Sequence, residues 1–143
     1  MIPGLENADF IRYGVMHRNT YINSPELLNT AFQLKKDLRL FFAGQMTGVE
    51  GYLESAASGL MVGLQVARYV NDKAFIDFPK TTAHGALSHY VSEYEGSNFQ
   101  PMNVNFGIME PWPTKVRKKK EKNGLIANRA LEDLAKLIEA ESL

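Results

Sequence analysis

The 143-residue chain contains no cysteine. That absence excludes a disulfide scaffold, a thiolate metal site and a cysteine nucleophile within these residues. Net charge is missing too, because 16 lysines and arginines balance 16 aspartates and glutamates. A global pull toward nucleic acid or a charged membrane is therefore excluded, and any such contact must come from local clustering. No uncharged apolar run reaches the ~20 residues needed to span a bilayer. The longest, residues 55–67, is interrupted by Gly59, Gly63 and Gln65. Met1-Ile2-Pro3-Gly4 offers neither a basic n-region nor an apolar stretch, so no secretory leader and no membrane partner are expected, and the cytoplasm is the default location. What is present is ordinary for one folded domain, with 45% hydrophobic and 22% charged residues. Disorder along the whole length is excluded.

The chain divides into four stretches. Residues 11–13 and 20–22 are short β-rich pieces, the second stopped by Asn23-Ser24-Pro25. Residues 38–42, Leu-Arg-Leu-Phe-Phe, read as a strand buried on both faces, as in a parallel sheet. Gly44, Gly48 and Gly51 punctuate a turn, after which the pattern predicts a helix over residues 52–70. Within it Ser55, Gly59, Gly63 and Ala67 recur every four residues and share a face. Glycine inside a helix costs ~1 kcal/mol relative to alanine, so this stripe predicts close packing against a sheet or another helix. A short helix is expected around residues 85–94, and the polar–apolar alternation of residues 103–108 predicts a half-buried strand. Pro111-Trp112-Pro113 is a sharp stop. Thr114 is the expected N-cap of a long helix reaching about Ala140, with Ala127, Ala130, Leu131, Leu134 and Ile138 on one stripe and Asn123-Gly124 as its weak point.

The turn from Phe41 to Tyr52 is the sharpest local feature. Three glycines let the backbone take positive φ and let a ligand come close. The helix that follows presents unpaired N–H groups and a positive dipole end, which stabilise an electron-rich group. The spacing matches neither the Gly-x-Gly-x-x-Gly pyrophosphate fingerprint nor a Walker A loop. The residues alone thus leave two readings, a ligand site and a tight connection. Glu50 and Glu54 lie one turn apart, as acid–base carboxylates would, but equally as a loop residue and a dipole-complementing residue. His84 and His89 have no partner at ligand spacing, so no metal site is expected. Lys115, Arg117, Lys118, Lys119, Lys120 and Lys122 form the strongest charge cluster. It reads either as a solvated helix face or as a phosphate-binding surface. Trp112 reads as a packing anchor.

Several stretches together resemble the TrmFO (Gid) family of folate- and FAD-dependent tRNA (uracil-5-)-methyltransferases, and more loosely the GidA/MnmG flavoproteins that modify the tRNA wobble uridine. They are residues 1–8 (Met-Ile-Pro-Gly-Leu-Glu-Asn-Ala), 13–25, 41–59 and 98–103 (Asn-Phe-Gln-Pro-Met-Asn). The resemblance implies an α/β fold. Residues 1–110 would be the C-terminal part of a Rossmann-type (glutathione-reductase-like) FAD-binding domain, and residues 111–143 a basic-then-amphipathic helical tail. It implies that Gly44, Gln45, Thr47, Gly48, Val49, Glu50, Gly51 and Tyr52 line the flavin end of FAD. It implies His17, Arg18 and Asn19 as folate or uracil contacts, and tRNA phosphates at Lys115, Arg117, Lys118, Lys119 and Lys122.

The parent activity so implied is methylation at C5 of a T-loop uridine, with methylenetetrahydrofolate as carbon donor, reduced FAD as mediator and NAD(P)H as reductant. The family's N-terminal pyrophosphate loop and its cysteines have no counterpart here. The chain therefore resembles the C-terminal third of such an enzyme, expected to be inactive alone and to need the missing N-terminal FAD-binding portion as partner. No catalytic residue is assigned within it. Self-association into a homo-oligomer through surfaces the missing part would cover is the alternative, as is a non-catalytic FAD-half or tRNA-docking module.

Overall fold

A computed structural model describes residues 2–9, 11, 14 and 19–143. Arg12 and Tyr13 of the first expected β piece, and the expected ligand residues His17 and Arg18, lie outside the described residues. Among those described, four α-helices follow one another: α1 (Ser24–Leu27), α2 (Tyr52–Tyr69), α3 (Ala83–Glu93) and α4 (Lys119–Glu141), with a 3-10 turn at Gly44–Thr47 between the first two.

Each helix start has a local cause. Pro25 opens α1 with its backbone already set. Thr82 caps α3, its hydroxyl accepting from the Gly85 amide at 3.0 Å. Gly85 then passes so close to the carbonyls of Phe78 and Pro79 that a Cβ would have no room. Helix α4 begins later than expected. Lys118, not Thr114, is its N-cap residue, and no side chain caps it. It also runs unbroken through Asn123-Gly124, because Ile126 just beyond is buried against Ala86 and Met109. Of the expected stripe, Leu131 and Ile138 are exposed, while Ile126 and Leu137 pack inward instead. Arg129 fastens α4 to the preceding loop by donating to the carbonyls of Glu110 and Pro111 and lying over the Trp112 ring, 5.5 Å from its centroid. At the far end Arg68 of α2 pairs with Glu141 at 2.7 Å.

The strands expected of an α/β fold do not form among the described residues, and residues 38–42 and 103–108 are not strands. Three isolated bridges occur instead: Leu28 with Leu34, Gln33 with Phe41, and, in parallel, Val49 with Met102. A doubly buried strand needs a neighbour on each edge and a layer on each face. Residues 38–42 have neither, and Leu38 and Leu40 are 54% and 47% exposed. The close packing expected of the small-residue stripe of α2 does not occur within the described residues, since a Cβ at Gly59 or Gly63 would meet nothing within 4 Å.

The core joins the loops to the helices. Leu28, Phe32, Val49, Met61, Ile76, Phe78, Leu87, Val91 and Phe99 are mutually buried, each contributing about 1.5–3 kcal/mol for a fully buried large side chain. Phe32 sits at φ 59, an uncommon conformation for a bulky residue. Asn29 holds it there, its Oδ1 accepting from the Ala31 and Gln33 amides at 3.0 and 3.1 Å. The Phe32 carbonyl in turn accepts from the Phe42 amide and fixes the chain just before Gly44. Gln65, an interruption in an apolar run by sequence, is buried; it donates to the Ile76 carbonyl at 2.8 Å and accepts from the Ile76 amide at 2.9 Å.

Candidate functional site at the glycine-rich bend

The bend is held from four sides. Ser24 Oγ donates to the Thr47 carbonyl at 2.7 Å, and the Ile22 amide donates to Met46. The Gly44 amide donates to Ser58 Oγ at 2.8 Å, which ties the bend to α2. Thr47 Oγ1 closes the 3-10 turn on the Gly44 carbonyl at 2.8 Å. The Met102 amide donates to Gly48 and the Glu50 amide to Met102, at 2.9 and 3.0 Å. Gly48 has φ +88 and lies under the Phe99 ring, whose Cζ would be 2.5 Å from an added Cβ. Gly51 has φ +95 and sits where Glu54 and Asn103 close in on it. Both positions demand glycine for conformation and for space.

This anchoring sorts the expected flavin residues into groups. Gln45, Glu50, Gly51 and Tyr52 line one cavity of about 280 Å³, together with Asn19, Ser55 and Asn103. Asn19 was expected as a folate or uracil contact and stands with them. Thr47 and Val49 are instead fully buried and support the bend from within. Gly44 and Gly48 act through their backbones. Ser55 and Asn103 were not singled out by sequence reasoning. Ser55 is the first residue of the small stripe, and Asn103 belongs to the 98–103 motif.

The cavity offers three carboxamides (Asn19, Gln45, Asn103), two hydroxyls (Tyr52, Ser55) and one carboxylate, that of Glu50. No side chain caps α2, so its first amides are free of a capping partner. Glu54, folded back toward Gly51, places a carboxylate in that first turn, where the helix dipole favours it. An electron-rich edge entering the cavity would meet amide hydrogens and the same positive helix end.

Other expected groups lie elsewhere. Lys115, Arg117, Lys118, Lys119 and Lys122 are all exposed, but the shared face that Lys115, Lys118, Lys119 and Lys122 would have in one continuous helix does not form. Lys115 and Arg117 precede α4, and only Lys119 and Lys122 of the five lie within it. A second cleft, of about 680 Å³, runs along α3 and was not anticipated. There Glu93 accepts from His89 at 2.8 Å and Lys80 at 3.0 Å. These contacts, His89 first, hold the Glu93 carboxyl below its ordinary value. An i,i+4 His–Glu pair on a helix is the sequence signal that could have found it.

Burial pushes the His84 imidazole, stacked on Phe78 at 6.0 Å, below its ordinary value. The unfolded chain then binds a proton more readily than the folded one. Stability from this group is full above about pH 6.5, the unperturbed value, and is lost as pH falls below it. Between about pH 7.5 and 5.5 we expect Tm to fall in the wild type and the slope to flatten in His84→Phe. Equal slopes in a calorimetric pH series would remove His84 as the cause.

Known proteins resemble this chain closely. The family model described as Glucose inhibited division protein A matches residues 1–74. A relative from Enterococcus faecalis, Methylenetetrahydrofolate--tRNA-(uracil-5-)-methyltransferase TrmFO, is 56% identical over 140 residues, covering 98% of this chain and 32% of its own length. Proteins of the same name from Streptococcus agalactiae and Acetivibrio thermocellus are each 58% identical, over 96% of this chain and 31% and 32% of their own. The chain thus spans about a third of the length of the curated relatives it matches. Residues 1–74 carry both the family match and the glycine-rich bend with all of α2, and on that match the chain belongs to the glucose-inhibited division protein A family.

Proposed function

We propose that this chain forms the flavin-facing part of an enzyme that methylates C5 of a tRNA uridine from methylenetetrahydrofolate, and that the rest of that enzyme completes its FAD site. The cavity at the start of α2 carries the reading. It gathers Gln45, Glu50, Gly51, Tyr52 and Asn19 around amides and carboxamides suited to an isoalloxazine edge. FAD, when bound and reduced, would supply the reducing equivalents for the one-carbon transfer. The residues of this chain would bind the ring edge, with the amides at the start of α2 favouring negative charge there. His17 and Arg18 would join Asn19 on the folate side, and NAD(P)H would be the reductant. The exposed basic segment from Lys115 to Lys122 would meet tRNA phosphates, and its affinity would fall steeply with salt.

The Rossmann-type architecture belongs to this proposal too. Residues 1–110 would complete a sheet begun by the remaining polypeptide, and residues 111–143 would form its tail. Acting on tRNA, the enzyme would work in the cytoplasm. The names of the relatives favour the folate-dependent reaction over wobble-uridine modification.

The chain alone, mixed with tRNA, FAD, a reductant and labelled methylenetetrahydrofolate, is expected to give no 5-methyluridine. A chimera in which it replaces the matched third of the Enterococcus faecalis relative is expected to bind flavin and form product. Product from the chain alone, or a flavin-free chimera, would refute the proposal.

A further inference from the structure

Helix α2 has two unlike faces. Ser58, Met61 and Gln65 are buried on the inner one. The other carries Leu53, Ala56, Gly59, Leu60, Gly63 and Ala67, all exposed. Steps of three and four residues put these six on one stripe, and none is charged. The solvent side of a helix normally carries charged and polar residues, whereas a helix apolar all round is a buried one. Helix α2 thus has a buried helix's composition with one side bare: Leu53 is 81% and Leu60 64% exposed. The glycines point the same way. Nothing in the described residues comes near enough to require glycine at 59 or 63, although glycine weakens a helix relative to alanine. Such positions suit the close approach of another backbone.

Two observations identify the occupant. The chain spans about a third of the length of its curated relatives, so most of their polypeptide lies outside it. The bare face also begins at Leu53, next to Gly51 and Tyr52 of the candidate cavity, so its occupant would stand beside that cavity. Leu53 further borders an apolar cavity of about 240 Å³ with Met61, His84 and Val104, which extends the uncovered surface.

We infer that the exposed face of α2 is an internal interface of the longer enzyme. It receives a flat apolar surface, a sheet face or a helix, from the part of the relatives' polypeptide outside the matched third. The inference rests on the proposed function for the identity of that longer chain.

The test uses the 143-residue chain and the Enterococcus faecalis chimera. The double substitution Gly59→Leu with Gly63→Leu fills open space in the first and blocks backbone approach in the second. In the chain alone Tm is expected to stay level or rise; in the chimera it is expected to fall by several degrees. Leu60→Glu should lower the chimera's Tm while leaving the chain's unchanged. Shifts of the same sign and size in both proteins would overturn the inference, as would a chimera that tolerates all three changes or never folds. A chain that sediments alone as a dimer and becomes monomeric with the double substitution would assign the face to a second copy and overturn it too. Flavin content is read separately. A chimera with the expected split but no flavin keeps the interface and refutes the flavin reading.

Discussion

Gly48→Ala is expected to destabilise the chain by roughly 2–5 kcal/mol, read from the midpoint of a urea unfolding curve. Two effects combine. Alanine at φ +88 carries the left-handed penalty of ~1–2 kcal/mol. Its Cβ would also lie 2.5 Å from Phe99 Cζ, and forcing extra volume into a packed core costs about 1–3 kcal/mol. Phe99 has little freedom to yield, because Tyr21, Tyr90 and Tyr94 surround its ring at centroid distances of 5.7–6.1 Å. The bend should loosen with it, since the Gly48 carbonyl is the acceptor for Met102. A loss below about 1 kcal/mol would mean that the turn re-forms without the left-handed residue.

The second large effect is expected at Gln65. Gln65→Leu keeps the volume and removes both partners of Ile76. The Ile76 amide and carbonyl are then left unpaired in the core, at about 1–3 kcal/mol for each unsatisfied group. The extra apolar contact of leucine offsets part of this, so a net loss of about 2–5 kcal/mol is expected from the same unfolding measurement. An unchanged midpoint would show that water or a shifted backbone satisfies Ile76.

The two sites illustrate what the amino-acid order reveals. Helices α2 and α3 were legible nearly to the residue: 52–70 was expected and Tyr52–Tyr69 formed, 85–94 was expected and Ala83–Glu93 formed. Their signals are local, in the glycine before one and the threonine cap of the other. The expected strands were not legible in the same way. Residues 38–42 carry strand-like side chains, but strand pairing requires partners that lie elsewhere in a sequence, and the described residues supply one bridge there. Thr114 misled because its chemistry suits a cap, whereas the burial of Ile126 and the grip of Arg129 decide how α4 lies.

The candidate site was half legible. Its location followed from three glycines between Phe41 and Tyr52, and its members from the resemblance. Which of them face the cavity did not. Thr47 and Val49 turn inward because Ser24 holds the Thr47 carbonyl and Val49 bridges to Met102, contacts too distant in sequence for spacing to reveal. The same holds for Gln65, whose role depends on Ile76 across the turn that follows α2.

The bridge between Val49 and Met102 also sets a timetable. Every glycine of the bend leaves the ribosome well before Met102 does, and until then Gly48 and Glu50 lack their backbone partners. Contacts between remote positions form slowly because loop closure comes first. A nascent or truncated product ending before Phe99 would carry the whole glycine motif and still have no finished cradle.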